Sequence, residues 1–518
     1  MQDALLRVTK ATHRRLTCTV CAIAALSIAL PGIAFAQSAN LAMVGEPQSL
    51  DPMASSADLV GTIMQHVYEP LYTFDETWAL QPMLAAAMPE ISDGGKKYTI
   101  KLRGGVKLHN GRDMTADDVV ASLKRWMEMT PRGKAIAKGL AGIEAKDAAT
   151  VEISLTAPNP ALTAHLALPS AFAAIMAKES IANPLTEFVG TGPYKFKERK
   201  ADQFVVLVKH DGYTPRSEAA SGYAGKREAK IPELRFIPVP NANTRVEGTI
   251  AGQYQFADQL PVESFKKVSG AAGVKAELTM PYGFPYIPLN TKQGAFANLK
   301  LRQAFQLALS DTEMLMAAFG DPKFFAAAAE HFPKGSPFYS DAGTAAYDKA
   351  DAAGAKKLLA EAKYDGTPIR ILNSKQYDFH HRIALVLAEN LKAAGFQVQL
   401  DVVDWATLVS RRADPALWDV YVTHSAFLPE PMLSPPQLSD DAPGWWKTPG
   451  KDAALSAFNG ESDPVKRAAL WAKVQQVVYE EVPYVRVGNF ASLAGLSAKL
   501  KGYTSKPWPA FWNVELGQ

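Results

Sequence analysis

Residues 98–126 read YTIKLRGGVKLHNGRDMTADDVVASLKRW, and this stretch decides the fold class. Tyr98, Ile100 and Leu102 alternate with Thr99, Lys101 and Arg103, the period-2 pattern of a half-buried strand. Gly104-Gly105 permits a reversal, Val106 and Leu108 resume the alternation as a second strand, and Asn110-Gly111 supplies the next turn. Thr115 and Asp118 then form a capping box, because each side chain satisfies an orphan amide of the first helical turn. Val119, Val120, Leu123, Trp126 and Met127 follow at helical spacing on one face. These periodicities give an αβ packing unit and no chemistry.

Residue identities carry more. The run Gly105-Val106-Lys107-Leu108-His109-Asn110-Gly111, then Ala116-Asp117-Asp118-Val119, resembles a signature of the extracytoplasmic solute-binding proteins of family 5. Those proteins serve dipeptide, oligopeptide, nickel and opine ABC importers. Working outward, Leu50-Asp51-Pro52 and Tyr68-Glu69-Pro70-Leu71 are similar to the family's opening. Gly190-Thr191-Gly192-Pro193-Tyr194 is similar to its glycine-rich entry into a strand pair, and Leu301-Arg302-Gln303-Ala304-Phe305 to a helix near the crossing into the last lobe. A phosphate-cradling loop would end in Gly-Lys-Ser/Thr and open a helix; this one ends in Pro-Tyr and opens a strand. The ordered resemblance runs from residue 40 to the C-terminus.

The resemblance implies an α/β, two-lobed periplasmic-binding-protein-like fold (type II, peptide-binding class) with an extra αβ domain. Lobe I would comprise residues 37–80, 186–285 and 488–518, the extra domain 81–185, and lobe II 286–487. Local patterns add a helix over 59–68, a hairpin over 142–155 and helical pieces at 160–168 and 175–182. They also give a βαβ alternation over 369–403, with Ile383, Leu387 and Leu391 on one helical stripe.

At 518 residues the chain exceeds what one hydrophobic core usually organises. Its N-terminus reads as a signal peptide, residues 1–36: a basic start with Arg7, Lys10, Arg14 and Arg15, an apolar run over 17–30, and Ala34-Phe35-Ala36 before Gln37. Cleavage near Ala36/Gln37 would place the protein in the periplasm. It would also remove Cys18 and Cys21, leaving no thiol chemistry and no disulfide. The segment carries four basic side chains against Asp3, so it accounts for the whole formal charge of +3. A neutral mature surface offers no footprint for nucleic acid or anionic membrane. The mature protein is expected to be soluble and monomeric.

No Gly-x-Ser-x-Gly elbow, His-Glu-x-x-His or dinucleotide fingerprint occurs, so the chain is read as a binding protein and not an enzyme, with no cofactor. A secreted hydrolase using two cleft carboxylates stands as the reading from another class. His380 and His381 are adjacent and so point about 100° apart on a helix; with no His-x-His or His-x₃-His spacing, no metal site is expected.

The partners implied by the resemblance are a small-molecule or peptide ligand and an inner-membrane ABC permease complex. The ligand would sit between the lobes. Its candidate contacts are Glu46, Gln48 and Ser49 from an early loop, Tyr282 and Phe284 near the crossing, Trp405 and Arg412, the run Thr423, His424, Ser425 and Phe427, and Asn489 near the return. Peptide-binding members usually carry Gly-Trp-x-x-Asp here, whose Asp pairs with the ligand ammonium. In this chain His424 stands for the Trp and Phe427 for the Asp. Burying an ammonium without a carboxylate is costly. Glu430 or Asp440-Asp441 would have to compensate, or the ligand is a non-peptide such as an opine, a modified amino acid or a sugar conjugate.

Overall fold

The segment 98–126 forms the unit its pattern implies, with one difference. In the computed structural model, which describes residues 38–433 and 438–517, Lys97–Lys101 is a strand in a four-stranded antiparallel sheet with Glu90–Ser92, Thr150–Leu155 and Leu140–Asp147. The helix Ala116–Met129 follows, and its capping box is present. The expected second strand is absent. Val106 and Leu108 are buried, but their backbone closes on itself: Met114 N–H donates to the Val106 carbonyl and Leu108 N–H to that of Arg112, both at 2.9 Å. Alternating burial survives without a ladder. The signal-peptide segment and both cysteines lie outside the described residues.

Ten strands make the largest sheet: β1 (Ser38–Met43), β2 (Tyr194–Lys200), β3 (Phe204–Lys209), β4 (Glu233–Pro238), β5 (Phe256–Leu260), β6 (Val274–Pro288), β7 (Phe325–Ala326), β8 (Thr423–Ala426), β9 (Tyr484–Arg486) and β10 (Asn489–Ser497). Their order is β8-β6-β10-β5-β1-β4-β3-β2, with β7 on β10 and β9 on β6. β1 runs parallel to both neighbours, and Ala39, Leu41, Ala42 and Met43 are buried, as a central strand requires. A separate parallel sheet holds Ile369–Ser374 between Val398–Val403 and Val420–Tyr421. The helix Asp378–Ala393 crosses it with Ile383, Leu387 and Leu391 fully buried. The molecule is thus two-lobed, and β6 belongs to both lobes.

The expected helix over 59–68 stops at Met64. The His66 and Val67 carbonyls, which face Pro70 and the chain beyond it, accept from Tyr194 N–H at 3.0 Å and Gly192 N–H at 2.9 Å, tying this turn to that loop. A Cβ on Gly190 or Gly192 would come within 2.1 or 2.3 Å of those same carbonyl oxygens. This close backbone approach explains the two glycines. The helical pieces expected near 160–168 and 175–182 shrink to Leu162–His165 and a 3-10 turn at Lys178–Ser180. Side chains of the helix Ala116–Met129 divert the second: Met176 N–H donates to Ser122 Oγ at 2.9 Å and Lys178 N–H to Asp118 at 3.0 Å.

Asp51 and Arg125, each with a side chain 6% exposed, form a bidentate pair that ties the early loop to that helix. Removing one partner of a buried pair strands the other charge. Asp51→Ala is therefore expected to lower unfolding free energy by about 3–5 kcal/mol, measured by urea denaturation.

Candidate ligand site

Trp405 and Arg412 reach one cavity because of helix geometry. Asp404 caps the helix Trp405–Arg411 by accepting from Thr407 N–H at 2.9 Å. Seven residues span two turns at 3.6 residues each, so positions 405 and 412 share a face about 10 Å apart. Opposite them, β8 pairs with β6 in a register that sets Thr423 against Tyr286 and Ser425 against Phe284. Gly283 makes this possible, since a Cβ there would meet the Ser425 carbonyl oxygen at 2.6 Å. Between these elements lies a cavity of about 260 Å³, closed by Trp445, Trp446 and Tyr484.

His424 lines this cavity and is held from behind. Its Nδ1 and the His380 Nε2 are 2.9 Å apart. Tyr377 lies edge-on to His424 at 5.1 Å and to Trp405 at 4.9 Å, and Phe379 meets His424 at 5.4 Å. Burial pushes the His380 ring down to about 2 and the His424 ring down to about 4. The pair is therefore neutral near pH 7, with one imidazole donating to the other's lone pair. His381 points elsewhere, its Nδ1 2.9 Å from Asn373 Oδ1. Among the described residues no group of three or more His, Cys, Asp or Glu is placed to hold a metal ion.

A second cavity of about 30 Å³ adjoins the first through Tyr484. Phe427 lines it, 2% exposed, packed edge-on to Trp78 at 5.2 Å and against Phe332 at 6.3 Å. The Arg486 guanidinium lies 3.8 Å above the Phe284 ring and donates to Asn489 Oδ1. Burial pulls Arg486 down to about 10, so it remains a cation at neutral pH. A larger cavity of about 330 Å³ has different walls, among them Asp75, Trp78, Tyr223 and Lys506.

The candidate contacts thus separate. Trp405, Arg412, Thr423, His424 and Ser425 line the first cavity; Phe284 and Phe427 line the second. Asn489 is buried beneath Arg486. Tyr282 accepts from Gln259 Nε2 at 2.8 Å. Arg199 binds the Glu46 carboxylate through Nε at 2.9 Å and Nη2 at 2.6 Å, and Glu46 lines neither cavity. Ser49 Oγ accepts from Asp51 N–H at 3.0 Å and Gln48 is exposed; neither lines either cavity. Glu430 and Asp440 are also committed, to Arg467 and Lys451. His380, Tyr377, Trp445, Tyr484 and Arg486 join the site without any spacing signal to announce them.

Because both histidine rings lie below 6.5 in the folded state, the unfolded chain takes up protons first as pH falls. Stability is expected to decline from about pH 6.5 to 4. In His380→Phe, the slope over this window should be shallower by about one proton, up to about 1.4 kcal/mol per pH unit, in urea melts across pH.

Residues 79–442 match the profile of the bacterial extracellular solute-binding proteins, family 5 Middle. The chain is 27% identical over 485 residues to the probable peptide ABC transporter periplasmic-binding protein y4tO of Sinorhizobium fredii, covering 90% of this chain and 91% of the relative. It is 25% identical over 505 residues to the oligopeptide-binding protein AppA of Bacillus subtilis, covering 91% and 90%. Among solved structures, the ABC transporter substrate binding protein CtaP of Listeria monocytogenes superposes with a TM-score of 0.80 at 23% identity, covering 93% of this chain and 100% of that one.

Proposed function

Because the chain belongs to the bacterial extracellular solute-binding proteins of family 5, we propose that it is the periplasmic substrate-binding component of an ABC importer. It captures a peptide or peptide-like small solute between its lobes, closes, and delivers the solute to an inner-membrane permease. No bond is made or broken, and the working form is a soluble monomer released by cleavage near Ala36/Gln37. On this reading lobe I is residues 37–80, 186–285 and 488–518, the extra domain 81–185 and lobe II 286–487. The path of β6 from one core into the other supports that division.

The observation that carries the proposal is the aromatic cavity where Trp405 and Arg412 face the β6–β8 pair. Its strands continue into the hinge, so a solute held there biases the lobes toward closure. A non-peptide ligand on the same fold is the second reading, favoured by Phe427 at the position of the family's ammonium-binding acid.

A thermal-shift screen against peptides, opines, amino acids, sugars and Ni²⁺ tests the proposal. One solute class should raise stability by about 2.7 kcal/mol at 100 times its Kd. Trp405→Ala should cut affinity for that solute about tenfold, equivalent to about 1.4 kcal/mol. Catalytic turnover of the bound solute, or no stabilisation by any class, would overturn it.

A further inference from the structure

Resting on the binding-protein reading, we infer that the solute is an acid with a flat or apolar body and no free ammonium. The charges around the two adjoining cavities carry this. Neither is lined by a described Asp or Glu. Three of the carboxylates close by are already occupied, and two others with no ion pair among the described residues, Glu330 and Asp441, line neither cavity. Glu430, 2% exposed, binds Arg467 and accepts from Met432 N–H at 3.0 Å. Asp440 binds the buried Lys451, and Glu481 accepts from Trp446 Nε1 and Thr448 Oγ1 at 2.6 Å.

The cations are the opposite case. Arg412 lines the larger cavity, and its guanidinium has no hydrogen-bond or ion-pair partner among the described residues. Arg486 lines the smaller one, 4% exposed, with its Nε unpartnered and no carboxylate on the guanidinium. The histidines add no compensating charge of either sign at neutral pH; His331 and His424 are held neutral by burial. An ammonium entering here would meet two guanidinium groups and the Phe427 ring, with no carboxylate in the lining of either cavity to accept its charge. A carboxylate would find an unpaired planar fork at Arg412, suited to bidentate contact. Trp405 and Trp445 supply faces for a flat body.

Isothermal titration with compounds differing only in charge tests this: N-acetyltryptophan and indole-3-acetate as acids, tryptophanamide as the amine, and Trp-Ala as a free peptide. The expected result is that the acids bind at least tenfold tighter than tryptophanamide and Trp-Ala. Arg412→Gln should weaken the acids tenfold or more and Arg412→Lys should recover part of the loss, with the melting temperature of the unliganded protein unchanged in both. Tighter binding of Trp-Ala or tryptophanamide, or acid binding indifferent to Arg412→Gln, overturns the inference and leaves the binding-protein reading standing. Silence from all four compounds overturns the inference. If the broad solute screen is silent as well, the binding-protein reading falls with it.

Discussion

The pairing of β6 is the constraint on which the rest of the structure depends. Its 15 residues run about 50 Å when extended. Val274–Thr279 pairs with β10 beside a core containing Leu260 and Leu493, whereas Tyr286–Pro288 pairs with β9 beside a core containing Ile287 and Val485. One continuous backbone therefore fixes the orientation of both halves. At Gly283 the strand pairs with Phe490 of β10 on one edge and Ala426 of β8 on the other, and the next residues, Phe284 and Tyr286, line the candidate cavities. On the proposed function, lobe movement and ligand contact would share the same few residues.

The chemistry of that junction follows from burial. Placing aromatic rings around a crevice lowers the local dielectric and drives ionisable groups toward their neutral forms. His380 and His424 comply by sharing a hydrogen bond. Arg486 does not neutralise; it spreads its charge over the Phe284 face and an amide oxygen. The outcome is a crevice whose fixed charge is positive although the surface as a whole is close to balanced.

Features governed by short-range geometry were legible in the sequence. The Thr115–Asp118 box and the helix carrying Ile383, Leu387 and Leu391 each follow from residues a few positions apart. The family signature extended that reach to the two-lobed fold class. Pairings across long separations were not legible. Arg199 pairs with Glu46 across 153 positions, and His380 meets His424 across 44. Local propensity also failed where distant groups intervened: the expected helix near 175–182 gives way where Ser122 and Asp118 accept from Met176 and Lys178 N–H. In each case the deciding partner has no fixed offset, so no periodicity encodes it.

Trp78 packs both against the core of the N-terminal residues and against the cluster of Phe332, Phe427 and Trp471. Parting the lobes at this point wets two indole and phenyl faces, a contact worth about 0.5–1.5 kcal/mol beyond its area. On the proposed function this contact is a latch, which would give the lobes a share of closing force independent of cargo. A membrane receiver that recognised shape alone would then dock empty carriers as well as loaded ones. Discrimination in such a system has to come from how long the latch stays shut, a difference in dwell time that the cargo supplies.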